Sequence, residues 1–165
     1  MKRFNWPDDL ENTYGTRANG FDYPRRPTCT HGRDRRPVQY DLAKGLNVWG
    51  GPEPKRHWNT TGTIVVSLLE YYTQNPDVRY AISNYGTPPL DCAQFDYLIT
   101  GLIRKAQEGK TIYVHCFGGH GRTGLVFGCM AARLGIDDPV EHVRSNYCRR
   151  AIETTSQEIF VTDFQ

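Results

Sequence analysis

No stretch of this sequence approaches the roughly 20 consecutive apolar residues that cross a bilayer, and the opening "MKRFNWPDDL" lacks the apolar centre of a secretory leader. Both absences predict a soluble, cytoplasmic protein with no membrane partner. Paired Cys-x-x-Cys knuckles are missing too. Cys29, Cys92, Cys116, Cys129 and Cys148 are odd in number and irregularly spaced, which fits neither a disulfide framework nor a zinc knuckle and predicts reduced thiols. Cys29 and His31 make a Cys-x-His pair, but without a second pair at ligand spacing they read as two loop residues. Net charge is low as well: 20 Lys and Arg against 18 Asp and Glu leave +2, too small to imply nucleic acid by itself. Internal repeats and low-complexity tracts are absent.

What remains is ordinary globular material, 165 residues with 38% hydrophobic and 12% aromatic content, enough for one core and one domain. Residues 1–40 are rich in Pro, Gly, Arg and Asn without sustained periodicity and are expected to form an irregular N-terminal extension; 41–165 form the folded domain. Within the extension, "PRRPTCTHGRDRRP" (24–37) sets five arginines against one aspartate. It reads either as a binding surface for an acidic or phosphorylated partner or as a solvated loop.

Strands are expected in "GLNVWGG" (45–51), in the branched apolar run "GTIVVSLLE" (62–70), in "VRYAIS" (78–83) and in "KTIYVHC" (110–116). Between the last two, Asp91 opens a helix whose Phe95, Leu98, Ile99, Leu102 and Ile103 share one face, with Gly109 ending it. "GLVFGCMAARLG" (124–135) follows as an apolar helix. Asp138 then caps a helix with Pro139 in its first turn, and Thr155 with Glu158 fits a capping box for the last one. The alternation predicts an α/β fold, a central mixed sheet flanked by helices.

The chemistry concentrates in "HCFGGHGRTG" (115–124). The preceding strand delivers Cys116 to the carboxyl edge of the sheet, where open α/β folds bind ligands. Gly118, Gly119 and Gly121 let the backbone curl, so that the N–H groups of Phe117, Gly118, Gly119, His120 and Gly121 point into one concavity at a helix N-terminus. That is a cradle for a tetrahedral dianion. Arg122 completes it, since its planar fork holds two phosphate oxygens at once. A thiol in such a positive field is a nucleophile for phosphoryl transfer. Thr123 is placed to donate a hydrogen bond to the sulfur, and His115 either orients the loop or merely finishes the strand.

These residues resemble the His-Cys-x5-Arg-Thr/Ser signature of the cysteine-based protein tyrosine phosphatase superfamily. The Gly-Gly-x-Gly-Arg wording is similar to its dual-specificity branch, in particular the cyclin-dependent-kinase-inhibitor-associated type. The resemblance extends loosely from "GLNVWGG" to the C-terminus, making 41–165 a phosphatase domain. It implies a phosphocysteine intermediate without metal or cofactor. It also gives a role to "RRAIETTSQEIF" (149–160), similar to the family's "AIQT...Q" stretch, by which Gln157 lies near the hydrolytic water.

One member of that machinery is out of place. The family's general acid is an aspartate about thirty residues before the cysteine, and the matching loop "SNYGTPPLD" puts Asn84 there, which cannot donate an acidic proton. Asp91 is the next candidate, against its simpler role as helix cap, and His120 is another. Trp6, Pro7 and Asp8 spell the tyrosine-specific branch's acid-loop tripeptide but lie over a hundred residues before Cys116. The leading expectation is hydrolysis of phosphorylated protein or peptide substrates, phosphotyrosine with or without phosphoserine and phosphothreonine. An RNA 5′-triphosphatase of the same superfamily, whose better leaving group needs an acid less, is the alternative. A phosphopeptide-binding module with little turnover is the non-enzymatic one.

Overall fold

The computed structural model describes Cys29 and residues 36–54, 60–71, 76–83 and 91–164. Among these residues five strands form one sheet: β1 (Val38–Tyr40), β2 (Val48–Pro52), β3 (Thr63–Ser67), β4 (Val78–Arg79) and β5 (Thr111–Cys116). Their spatial order is β1-β2-β5-β3-β4. β5 runs parallel to β2 and β3, β3 runs parallel to β4, and only β1 is antiparallel, to β2. The sheet is therefore mixed. β5 is its central strand, with Ile112, Val114 and Cys116 in the main core and, by the alternation of a strand, Tyr113 and His115 on the other face.

β1 lies inside the span expected to be irregular. Three residues are too few to display a period, and their order comes from tertiary contacts. Tyr40 is fully buried, stacks on Phe127 at 4.7 Å between centroids, and pairs its hydroxyl with His142 Nδ1 at 2.9 Å. Conversely, the strand expected over 78–83 is regular only at Val78–Arg79.

Four helices follow among the described residues: α1 (Cys92–Gln107), α2 (Gly121–Arg133), α3 (Pro139–Asn146) and α4 (Thr155–Asp163). α1 buries the expected face plus Ala106, and Asp91 caps it by accepting from Gln94 N at 2.9 Å. Asp138 caps α3 in the same way through Glu141 N, with Pro139 in the first turn. α2 begins three residues earlier than the hydrophobic run suggests, inside the glycine loop, because Gly124 N already bonds His120 O at 2.8 Å.

The cap of α4 is Thr154, not Thr155: its Oγ1 accepts from Gln157 N at 3.2 Å. Glu158, the expected partner of Thr155, is instead drawn to the Arg144 guanidinium. α1 and α2 pack on β5, while α3 and α4 pack against α2. Among the described residues, no helix is long and apolar enough to cross a membrane.

Candidate active site

Cys116 ends β5 opposite Pro52 of β2, and the chain then turns through Phe117–His120 into α2. The turn works because Gly119 adopts φ +77° and presses on β2: a Cβ there would lie 2.5 Å from the Gly51 carbonyl carbon. Only glycine meets both demands. In this conformation Gly119 N–H points back and donates to Cys116 Sγ at 3.2 Å, while the Tyr147 hydroxyl donates to Gly119 O at 2.6 Å and holds the loop from behind. Tyr147 is completely buried, and burial raises its hydroxyl well above the ordinary range, so it stays a donor.

Arg122 sits in the first turn of α2 with 6% exposure. Its Nη1 donates to the carbonyls of Ile82 at 3.1 Å and Leu68 at 3.5 Å, which follow β4 and β3 at the sheet's carboxyl edge. Two strand ends thus fix the guanidinium beside the loop. Thr123, next in sequence, is fully buried, and its Oγ1 has no partner among the described residues; neither has Nδ1 of His115. Burial, opposed by the Cys116 backbone and reinforced by the nearby Arg122 charge, lowers His115 to a pKa of about 4, so the ring is neutral at pH 7 and stacks near Tyr113.

Gln157 lies at this end of α2. Its amide lies 3.2 Å from where a Gly121 Cβ would stand, and its Oε1 accepts from Glu153 N at 2.8 Å. The same glycine exposes a group not anticipated from the sequence: Glu153 Oε2 would come within 2.5 Å of that Cβ, at the N-terminus of α2. The available signal was a departure, since Glu153 stands where the resembled "AIQT" stretch has glutamine. Tyr71 is 48% exposed and close enough to the site to feel it. Partial burial raises its hydroxyl, Arg122 pulls it down, and Glu53 and Cys116 push it up.

Asp91 uses Oδ1 to cap α1, and Tyr80 donates to its carbonyl. His120 precedes α2 without capping it; its Nε2 lies 2.7 Å from Sγ of Cys29, the residue read as part of an unpartnered loop. Asn84 and the tripeptide Trp6, Pro7, Asp8 lie outside the described residues. So does the arginine cluster except for Cys29, Arg36 and Pro37.

A central parallel strand ending in a cysteine, a glycine turn and an arginine on the next helix define a phosphatase-type domain of the cysteine-based protein tyrosine phosphatase class. Residues 62–161 match the family model described as PTP-SAK, Swiss Army Knife protein, DSP-PTPase phosphatase domain, and the chain belongs to that family. Two uncharacterized proteins of Methanocaldococcus jannaschii are 35% and 36% identical over 97 residues. Each match covers 59% of this chain and, respectively, 65% and 60% of the relative, so the chain spans less than two thirds of their length. A putative tyrosine phosphatase of Invertebrate iridescent virus 3 is 39% identical over 69 residues, 40% of this chain and 29% of that protein.

Among solved structures, the fold is similar to Tk-PTP in its active form, with a TM-score of 0.62 at 19% identity, covering 77% of this chain and 95% of that one. It is also similar to kinase associated phosphatase (KAP) with its catalytic-site cysteine changed to serine, with a TM-score of 0.59 at 17% identity, covering 79% and 93%.

Proposed function

We propose that this chain is a cysteine-dependent phosphatase of phosphorylated protein side chains, phosphotyrosine foremost, working through a phosphocysteine on Cys116. The observation that carries the reading is the Cys116 sulfur, 3% exposed, accepting an N–H from Gly119 beneath the first turn of α2 while Arg122 is anchored alongside. The loop N–H groups of Phe117, Gly118, Gly119, His120 and Gly121 and the Arg122 fork hold the non-bridging oxygens. Sγ attacks phosphorus, a P–S bond forms, and the bond to the leaving oxygen breaks. Water then attacks phosphorus, its proton passing to the carboxylate that protonated the leaving oxygen; the P–S bond breaks, inorganic phosphate is released and Sγ is free again. The buried hydroxyl of Thr123, without another partner, supports its donating to that sulfur, and the position of Gln157 beside Gly121 supports a role in aiming the water.

The leaving oxygen needs a proton, and two carboxylates compete for that role. Asp91 is the one nominated by sequence, with an oxygen engaged in capping α1; Glu153 is the one lying against the phosphate loop. Tyr71 supports an aromatic substrate, because an exposed ring in electrostatic reach of Arg122 and Cys116 offers a stacking face to phosphotyrosine. A nucleophilic thiol that must stay reduced fits a cytoplasmic setting.

The test compares initial rates on a phosphotyrosine peptide and on triphosphate-ended RNA, for the native chain and Cys116→Ser. Faster turnover of the peptide, abolished by the substitution, is expected. Preference for the RNA would replace the substrate assignment with a triphosphatase, the reading favoured by a capped Asp91. Tight peptide binding without turnover would leave a phosphopeptide-binding module.

A further inference from the structure

Sγ of Cys29, Sγ of Cys148 and a ring nitrogen of His120 all lie within 4.8 Å of one another. We propose that they form a site for one thiophilic divalent cation, zinc(II) the best match, that clamps the N-terminal arm to the phosphate loop. The three ligands come from distant parts of the chain: Cys29 from the arm, His120 from the residue before α2, Cys148 from just after α3. No local spacing could announce them, which is why the sequence pairs Cys29 only with His31 and reads both as loop residues.

Three features favour a metal. Two thiolates and an imidazole are the soft donor set that selects zinc, whereas calcium and magnesium require oxygens. The sulfurs are 4.0 Å apart, near the ~3.8 Å that a tetrahedral ion with metal–sulfur bonds of ~2.3 Å imposes, and far from the ~2.05 Å of a disulfide. His120 is turned for the purpose. It occupies the N-cap of α2 yet makes no capping bond; its Nδ1 edge faces Gly118, where a Cβ would come within 3.2 Å, and its Nε2 faces Cys29.

Cys148 is a rigid ligand, buried, with its N–H bonded to Val143 O at 3.1 Å and its carbonyl accepting from Ala151 N at 2.8 Å. The three protein donors leave one tetrahedral position for water.

On binding, the thiols of Cys29 and Cys148 each release one proton and His120 coordinates as neutral imidazole. The charges of the ion and the two thiolates cancel, so the site adds no net charge beside the phosphate cradle. Its effect is positional: it fixes the ring of a residue within the loop and ties Cys29 to it. This inference stands independently of whether the chain hydrolyses phosphate esters.

The test titrates the full, metal-free, reduced chain with zinc chloride and, for its spectrum, with cobalt(II). The expected result is one ion per chain, about two protons released per ion, and thiolate-to-cobalt charge-transfer absorption. Cys29→Ser and Cys148→Ser should each abolish that absorption, while Cys92→Ser and Cys116→Ser retain it. His120→Ala should weaken binding by at least the roughly 10–100-fold that losing an outer-shell partner costs. Because substitutions of buried Cys148 can unfold the chain, zinc protection of Cys29 and Cys148, but not Cys92, from iodoacetamide is read in the native protein. Absence of stoichiometric binding, binding that survives Cys29→Ser, or loss of binding in Cys116→Ser would overturn the proposal. So would recovery of a Cys29–Cys148 disulfide from the isolated protein.

Discussion

The Arg122 guanidinium is held by the protein through Nη1, which donates to Ile82 O and Leu68 O, and the phosphate-binding role proposed for it needs a second edge of the fork. A lysine cannot do both, because one ammonium supplies charge without a fork. Arg122→Lys should therefore cost nearly as much as Arg122→Ala, about 10²-fold or more in kcat; steady-state rates on an aryl phosphate check this. The proton donor is tested at the same scale. If Glu153 protonates the leaving group, Glu153→Gln slows substrates with poor leaving groups by about 10²-fold or more, spares activated aryl phosphates, and removes the basic limb of the pH–rate profile. Asp91→Asn would then act through α1 stability alone; the opposite pattern makes Asp91 the donor.

Cys116 and Arg122 were legible because the loop that holds them is continuous in sequence, with five residues between them. Tyr147 and Cys29 reach that loop from elsewhere in the chain, and nothing in one-dimensional spacing marks them; Glu153 shows in the sequence only as a departure from the resembled stretch.

Among the elements, α2 carries the site and fits its neighbours through glycines. A Cβ on Gly124 would meet Ile152 N at 2.7 Å and Ala151 Cβ at 2.9 Å. Alanine is worth ~1 kcal/mol more than glycine in a helix interior, but overpacking against backbone costs ~1–3 kcal/mol. Gly124→Ala should accordingly destabilise the chain and tilt the start of α2, seen as a lower urea midpoint together with reduced kcat. α1 and α3 were readable since their apolar period and their Asp caps are local signals. β1 was not, because three edge residues owe their strand to pairing with β2 and to the burial of Tyr40. The cap of α4 is Thr154 and not Thr155 because Thr154 Oγ1 takes the N–H of Gln157, a choice between adjacent threonines that the sequence alone leaves open.

For the whole molecule, His115 links the site to acid stability. Burial holds it at about 4, below its ordinary 6.5, so between those values the unfolded chain binds a proton that the folded chain refuses. Stability is then lost as pH falls from 6.5 towards about 4 and levels off below, by about 3 kcal/mol in total. Urea unfolding across that window should show the loss in the native chain and a much smaller one in His115→Gln.

The central claim is that Cys116 becomes covalently phosphorylated during turnover. Acid quenching of the chain within its first turnovers of a phosphotyrosine peptide, followed by peptide mass spectrometry, tests it most directly. The account predicts one phosphoryl group on the peptide that contains Cys116, absent in Cys116→Ser; steady release of phosphate with that cysteine never modified, or undiminished release by the serine variant, would contradict it.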